Sequence, residues 1–171
     1  VGRRTELYWQ ILWWLAHNVQ KPGVKIRWSP LIKGVQGDGK SIFGDLLYAA
    51  MGASNVKMTS HSTLSNSGGF TDWATGRAVN FMEEVRLEGK DKRKLYNAMK
   101  IFIGDSRIEL NKKGKAADLN AVVNVTNHWA NTNHADAVPV EPGERRWCVV
   151  FSPWASIGEA AQVKGLDAAD D

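Results

Sequence analysis

The sequence contains a single cysteine, Cys148, among its 171 residues. One cysteine can neither close an internal disulfide bond nor supply the thiolates of a cysteine-rich zinc site, so both are excluded. A chain without disulfide bonds is typical of a reducing compartment, and we expect a cytoplasmic protein. No apolar stretch approaches the roughly 20 residues that a transmembrane helix needs, and no secretory signal pattern is present. These absences argue against a disulfide-stabilised secreted scaffold and predict no membrane partner.

The composition is that of a folded domain with a mild positive charge. Hydrophobic residues make up 43% and charged residues 23% of the chain, which is typical of a globular protein rather than a disordered one. The formal net charge of +4 suits a polyanionic partner without requiring one. Because the chain begins with Val1 and not with methionine, we expect it to be a fragment of a longer protein.

Hydrophobic periodicity predicts helices that alternate with strands. The predicted helices span residues 5–19, 41–51 and 90–103. The predicted strands span residues 26–33, 56–59, 78–82, 107–111, 119–126 and 146–151. This alternation indicates an α/β fold with a central, mostly parallel sheet flanked by helices, plus a β-hairpin and an N-terminal helix.

A glycine-rich turn lies between the first predicted strand and the second helix. Residues 34–41 fit the phosphate-binding pattern G-x-x-x-x-G-K-[ST]. Glycines let successive backbone N–H groups face a phosphate, and the helix N-terminus adds its positive dipole end. Lys40 would reach the β- and γ-phosphates, and the Ser41 hydroxyl would ligate Mg²⁺. The predicted nucleotide-binding residues are Gly34, Gly37, Asp38, Gly39, Lys40 and Ser41.

Two carboxylates, Glu83 and Glu84, directly follow the predicted strand 78–82. Enzymes with such a phosphate loop (P-loop) need a strand-end carboxylate to hold Mg²⁺ and a second group to orient the attacking water. We therefore predict that Glu83 serves the metal and that Glu84 orients the water.

A polar amide, Asn127, ends the predicted strand that precedes it. An amide at a strand end can hydrogen-bond a γ-phosphate or an attacking water, and we predict this role for Asn127. The nearby His128 and His134 lack companion ligands, so we predict that neither binds a metal.

The order of these motifs carries a family resemblance. The P-loop is followed by the acidic pair, a lysine-rich segment, Asn127 and then Arg145-Arg146-Trp147. Over about residues 7–154 this order resembles the superfamily 3 helicases, which are AAA+-class motors, and in particular the primase-helicases of phages and plasmids. One departure is Glu83, where many relatives carry aspartate.

The resemblance implies a ring, usually a hexamer, that hydrolyses ATP with Mg²⁺ between its subunits. In such rings an arginine of one subunit contacts the γ-phosphate held by its neighbour, and a guanidinium suits this role because it is always charged. Arg146 is the predicted finger because it directly precedes Trp147 and the last strand. Arg145 is the second candidate.

The resemblance also implies DNA as a partner, and a primase that is fused or separate. In the family a β-hairpin between the acidic strand and the asparagine lines the central channel. Here its tip carries Lys112, Lys113 and Lys115, and six such tips would form a positive collar for a nucleic-acid backbone. The predicted division of the chain is a helical leader at 1–24, an ATPase core at 25–155 and a flexible tail at 156–171.

Two other classes of protein fit parts of the sequence. A small-molecule kinase shares the P-loop, but such kinases usually carry an arginine-rich lid, whereas the basic residues here lie in the hairpin and beside the last strand. A non-catalytic nucleic-acid-binding module would tolerate a degenerate nucleotide site, but Lys40, Ser41, Glu83 and Glu84 are intact.

Overall fold

Helices and strands alternate along the chain as the sequence predicts. The computed structural model describes residues 2–65, 71–86, 92–111, 118–134, 137–138, 140–141, 143–154, 156 and 159. The helices within these residues are α1 (Gly2–Gln20), α2 (Ile42–Met51), α3 (His61–Ser65) and α4 (Lys92–Gly104), with a short 3₁₀ turn at Asp72–Ala74. The strands are β1 (Ser29–Lys33), β2 (Val56–Thr59), β3 (Val79–Met82), β4 (Arg107–Leu110), β5 (Asp118–Val123), β6 (Asn127–Thr132) and β7 (Trp147–Phe151).

Five of the strands form one sheet in the order β2-β3-β6-β1-β7. Every neighbouring pair in this sheet is parallel. Strands β4 and β5 form a separate antiparallel hairpin in which Arg107 pairs with Val123. The predicted α/β class, with its parallel sheet, hairpin and N-terminal helix, is therefore confirmed.

The sequence patterns miss the short helix α3 and, more importantly, the central strand β6. They predict a strand that ends at about residue 126 and a long irregular segment after it, whereas β6 begins at Asn127 and lies between β3 and β1. All six of its residues are buried, yet only Trp129 and Ala130 are apolar. A strand so rich in buried polar groups lacks the hydrophobic pattern by which strands are recognised. The preceding strand, β5, belongs to the hairpin.

The sheet is covered on both faces because side chains alternate along its strands. One face packs on α1 and α2 through a cluster that contains Ile11, Trp14, Leu47, Phe81 and Trp129. The other face packs on α3, α4 and the hairpin through a cluster that includes Leu64, Met82, Met99, Phe102 and Ile108. No helix in the described part of the chain has the length and apolar character that crossing a bilayer requires.

The fully buried Trp129 is the centre of the first cluster. Its ring stacks on Phe81 at 5.9 Å between centroids and meets Trp14 edge-on at 5.4 Å. It also contacts Phe43 of α2 at 4.9 Å. Aromatic pairs of this geometry add to the free energy that burial itself contributes. Trp129 thereby holds α1 and α2 against the middle of the sheet.

A half-buried lysine joins the segment before β1 to α4 and to the segment before β6. Lys25 Nζ donates hydrogen bonds to the Phe102 carbonyl at 2.7 Å and to the Thr126 carbonyl. Burial lowers the pKa of Lys25 to about 7, and the carboxylate of Asp105 only partly opposes this shift. A neutral amine has two N–H donors, which these two carbonyls satisfy.

We predict that Lys25 makes the protein more stable as pH rises from about 7 toward 10. Between the folded pKa of about 7 and the unfolded value of 10.5, the unfolded chain binds more protons, so deprotonation favours the folded state. The unfolding free energy of the wild type, minus that of Lys25→Met, should increase by about 3 kcal/mol over this range in urea titrations. An unchanged difference would contradict the assignment.

Candidate nucleotide-binding site

The P-loop connects the end of β1 to the start of α2 and is anchored on both sides. The Gly34 N–H donates to the Thr132 carbonyl of β6 at 3.1 Å, and the Ser152 N–H donates to the Lys33 carbonyl at 2.6 Å. Gly37 and Gly39 adopt φ angles of 78° and 94°, a left-handed region that side-chain-bearing residues rarely occupy. Of the glycines predicted to bind nucleotide, Gly37 and Gly39 are therefore required by the backbone conformation.

The start of α2 leaves the Ser41 side chain without a capping hydrogen bond, at φ −66° and ψ −24°. Two N–H groups of the first turn are already engaged: Ile42 donates to the Gly39 carbonyl at 3.2 Å and Gly44 to the Ser41 carbonyl at 2.9 Å. The positive dipole end of a helix start attracts anions, and a hydroxyl oxygen is a ligand that Mg²⁺ accepts. The residues present thus fit a phosphate group accompanied by Mg²⁺.

Lys40 turns back over the loop. Its Nζ lies 2.5 Å from the Val35 carbonyl oxygen and 2.7 Å from Oδ1 of Asp38, and its side chain is only 10% exposed. The ammonium group is therefore held by the loop itself, between the Val35 carbonyl and the Asp38 carboxylate.

The acidic pair lies at the same edge of the sheet as the P-loop. Ala130 of β6 pairs with Met82 of β3 on one side and with Leu31 of β1 on the other. Glu83 directly follows Met82, and Gly34 follows Leu31 by three residues. Both glutamate side chains are exposed, and the Glu83 N–H donates to the Thr59 carbonyl at 3.0 Å. This edge is where ligands bind in open α/β sheets.

Glu84 has an unusual backbone. Its φ of 51° is the only positive value among the described residues that are not glycine. A residue held in the left-handed region costs of order 1–3 kcal/mol, and such residues concentrate at functional sites. Glu84 is exposed, and Val85 beyond it is buried again.

Asn131 of β6 connects the P-loop, the acidic turn and the core, and it is a site residue that the sequence did not indicate. Its Nδ2 donates to the Lys40 carbonyl at 3.1 Å, and its Oδ1 accepts from Trp129 Nε1 at 2.9 Å. Its backbone carbonyl accepts from the Val85 N–H at 2.7 Å. The only local signal for this residue is the polar sequence Asn-Thr-Asn at residues 131–133. Polar residues at a strand end next to a P-loop are expected to face the nucleotide.

The prediction for Asn127 is wrong because Asn127 begins β6 instead of ending a strand. It pairs with Val79 at the start of β3, six residues and thus about 20 Å before Asn133 at the P-loop edge. Its buried amide is fully engaged: Oδ1 accepts from the Ile26 N–H at 2.7 Å, and Nδ2 donates to Asn18 Oδ1 and the Val24 carbonyl. Asn127 fixes the segment between α1 and β1.

His128, within β6, and His134, after it, differ in their surroundings. His128 is buried, and burial together with the charge of Lys25 holds its pKa well below 6.5. His134 follows β6, where its N–H donates to Thr132 Oγ1 at 3.0 Å. Within the described ranges, no group of three or more histidine, cysteine or acidic side chains is arranged to hold a metal.

The two arginines lie at the end of the sheet opposite to the P-loop. The Arg146 carbonyl accepts from the Ser29 N–H at 2.8 Å, at the start of β1, whereas Gly34 follows the end of β1 about 17 Å away. Arg146 Nη1 contacts Glu144 Oε1 at 3.3 Å. Arg145 is exposed and borders a surface groove lined by tryptophans, among them Trp9, Trp13 and Trp28. Neither arginine can reach the P-loop of its own chain.

The predicted DNA-binding lysines, Lys112, Lys113 and Lys115, lie outside the described residues. The strands that flank them are described. Because β4 and β5 pair as an antiparallel hairpin, the three lysines occupy the connection between its strands.

The comparisons with known proteins concern both family and fold. A profile of DUF5906, a family of unknown function, matches residues 32–146. The fold resembles the C-terminal region of NrS-1: an apo structure of its residues 305–718 aligns with a TM-score of 0.64 and 20% identity over 89% of this chain. A second apo structure, the A form, aligns with a TM-score of 0.64 and 18% identity over 96%.

The chain spans only 37–39% of the length of these two structures. The comparison with curated proteins gives no match. The likeness to NrS-1 is therefore one of fold.

We predict that Asn131→Ala destabilises the protein by about 1–3 kcal/mol, because the change leaves the buried Trp129 Nε1 without its acceptor and the Lys40 carbonyl without its donor. Urea unfolding measures the effect. Asn133→Ala, the same substitution at an exposed position two residues on, should change stability by less than about 0.5 kcal/mol. Equal stabilities of the two variants would refute the connecting role of Asn131.

Proposed function

The chain belongs to DUF5906, a family of unknown function, and we propose that it is the ATP-hydrolysing motor domain of a DNA helicase. In this proposal the domain works in replication of the phage or plasmid type and hydrolyses ATP between the subunits of a ring, most simply a hexamer. The energy moves the ring along DNA. A primase, fused or separate, is a proposed partner.

One observation carries the proposal. The P-loop, the acidic turn and the carboxyl end of β6 meet at one edge of a parallel sheet whose order is β2-β3-β6-β1-β7. The strand between them, β6, contacts the P-loop through the side-chain amide of Asn131 and the acidic turn through the Asn131 backbone carbonyl. A nucleotide held by the loop would therefore have carboxylates and an amide beside its terminal phosphate, which hydrolysis requires.

Each group has a role in the proposal. Lys40 stabilises charge on the transferring phosphoryl group, and Glu84 orients the attacking water. Asn133 replaces Asn127 as the amide that positions this water, because Asn133 is exposed directly after β6, whose last residue pairs with Lys33. Ser41 and Glu83 would hold Mg²⁺, Glu83 through water, and the ion would neutralise phosphate charge.

An arginine supplied by a neighbouring subunit completes the proposed site. Because both arginines lie at the far end of β7 from their own P-loop, they can serve only a second chain's nucleotide. Arg146 would have to leave Glu144 to do so. Arg145 is exposed, so we infer that Arg145 is the better-placed finger.

DNA contact is assigned in this proposal to the hairpin β4–β5. Lys112, Lys113 and Lys115 lie between its two strands in the sequence. Several copies around a ring would surround a phosphate backbone with positive charge.

We predict that the chain hydrolyses ATP, and that turnover rises with single-stranded DNA and more than linearly with protein concentration, because neighbouring chains share each site. Lys40→Ala should lower kcat by about 100-fold or more, since it removes the charge that stabilises the transition state. Steady-state phosphate release measures both effects. Circular dichroism should show that the variant remains folded.

The same assay separates the competing functions. Replacing Lys112, Lys113 and Lys115 together by alanine should abolish DNA stimulation and leave basal turnover intact, and retained stimulation would sink the hairpin assignment. Turnover that ignores both DNA and concentration would favour a self-contained P-loop phosphotransferase. Nucleotide binding without turnover at any concentration would favour a non-catalytic binding module.

The arginines can be tested by mixing inactive variants. We predict that Arg145→Ala lowers turnover about 1,000-fold, as loss of an arginine finger does. A mixture of Arg145→Ala and Lys40→Ala should recover activity, because some interfaces combine an intact P-loop with an intact arginine.

Arg146→Ala, mixed with Lys40→Ala in parallel, is the matched comparison. Recovery in the Arg146→Ala mixture, without recovery in the Arg145→Ala mixture, would identify Arg146 as the arginine finger. The double variant Lys40→Ala/Arg145→Ala, assayed without a second protein, should stay inactive. No recovery in any mixture would contradict catalysis in trans.

A further inference from the structure

The P-loop contains an acidic residue, Asp38, directly between Gly37 and Gly39. The pattern of a P-loop leaves this position open, so a carboxylate there is not required for phosphate binding. An anion inside a site built for anions is unfavourable for the ligand by simple electrostatics. The position of its side chain therefore determines what it does to the nucleotide.

The carboxylate of Asp38 folds into the loop. Its side chain is 2% exposed, and Oδ1 lies 2.7 Å from Lys40 Nζ. The Lys40 N–H also points to Oδ1, at 3.3 Å. On the other side, the carboxylate lies so close to Gly34 that a Cβ at Gly34 would collide with Oδ2. Asp38 thus occupies the space between the beginning and the end of the P-loop.

These contacts use donors that a phosphate needs. A bound nucleotide is held by the loop's backbone N–H groups and by the ammonium of the P-loop lysine. Asp38 Oδ1 takes one donor of each kind, and both belong to Lys40. The carboxylate and a phosphate oxygen cannot accept the same hydrogen bond in full, so binding must move one of them.

We propose that Asp38 is an affinity-determining residue of the nucleotide site, an internal carboxylate that neutralises Lys40 in the empty loop and is displaced by the incoming phosphates. The inference rests on the proposed function and adds that the Asp38 carboxylate competes with the nucleotide phosphates for Lys40. Displacement releases Lys40 to the ligand and turns the carboxylate out of the loop. The wild-type affinity for nucleotide is accordingly weaker than the loop's donors alone would produce.

The test is calorimetric binding of MgADP, which is not hydrolysed, to the 171-residue chain and its variants. Asp38→Asn keeps the size of the side chain and removes its charge, and it should bind MgADP about tenfold more tightly than the wild type. Asp38→Ala is a second variant with the same expected direction. Thermal unfolding verifies that both variants fold.

The matched control is Asp45→Asn, which removes the same charge from an exposed position in the first turn of α2. It should change the MgADP affinity less than twofold. An equal gain in Asp45→Asn would overturn the inference by attributing the effect to general charge. Unchanged or weaker binding by Asp38→Asn and Asp38→Ala would overturn it as well.

A Lys40→Ala variant distinguishes this inference from the function on which it rests. Loss of MgADP binding in Lys40→Ala, with no gain in affinity in either Asp38 variant, would refute the competing role of Asp38 and leave the nucleotide site in place. Binding by none of the proteins, the wild type included, would refute the nucleotide site and the competitor together.

Discussion

The site depends on the two hydrogen bonds that the Asn131 side-chain amide makes, one to the Lys40 carbonyl and one to the Trp129 indole. A loop of glycines has little shape of its own, because glycine adopts many backbone conformations. Here the end of the loop is held by the hydrogen bond from Asn131 to the Lys40 carbonyl, and Asn131 is in turn oriented by the indole of Trp129. Since Trp129 packs on Phe81, Trp14 and Phe43, the loop takes its position from the core.

The direction of the strands separates the chemistry into two ends of the domain. In a parallel sheet all carboxyl ends share one edge, so the P-loop after β1, the glutamates after β3 and the amides at the end of β6 converge. By the same rule, residues that precede a strand lie at the other edge, where Arg145 and Arg146 precede β7. A site that uses both edges needs two chains, which is the physical basis for proposing a ring.

The sequence predicted those parts of the fold and site that have a local signature. The P-loop is visible because phosphate binding demands its glycines, lysine and serine at a set spacing, and β3 is visible because it is apolar and ends in two carboxylates. Strand β6 is invisible, because its polar residues are satisfied by groups distant in the chain: Asn127 by Asn18 and Ile26, and Asn131 by Lys40. Asn127 was misplaced for this reason, since an amide at an unrecognised strand start resembles one at a strand end.

The α/β class, the position of the P-loop and the carboxylates after β3 follow from the amino-acid sequence alone, because periodicity and motif spacing are local properties of a chain. The folded chain is needed to see which amide lies beside the P-loop, that both arginines lie at the other end of the sheet, and that Asp38 takes the donors of Lys40. Those facts depend on strand order and register, which bring together residues as distant in the chain as Ser29 and Trp147. Long-range pairing of this kind leaves no trace in the local pattern, since the partner that satisfies a buried polar group can lie anywhere in the chain.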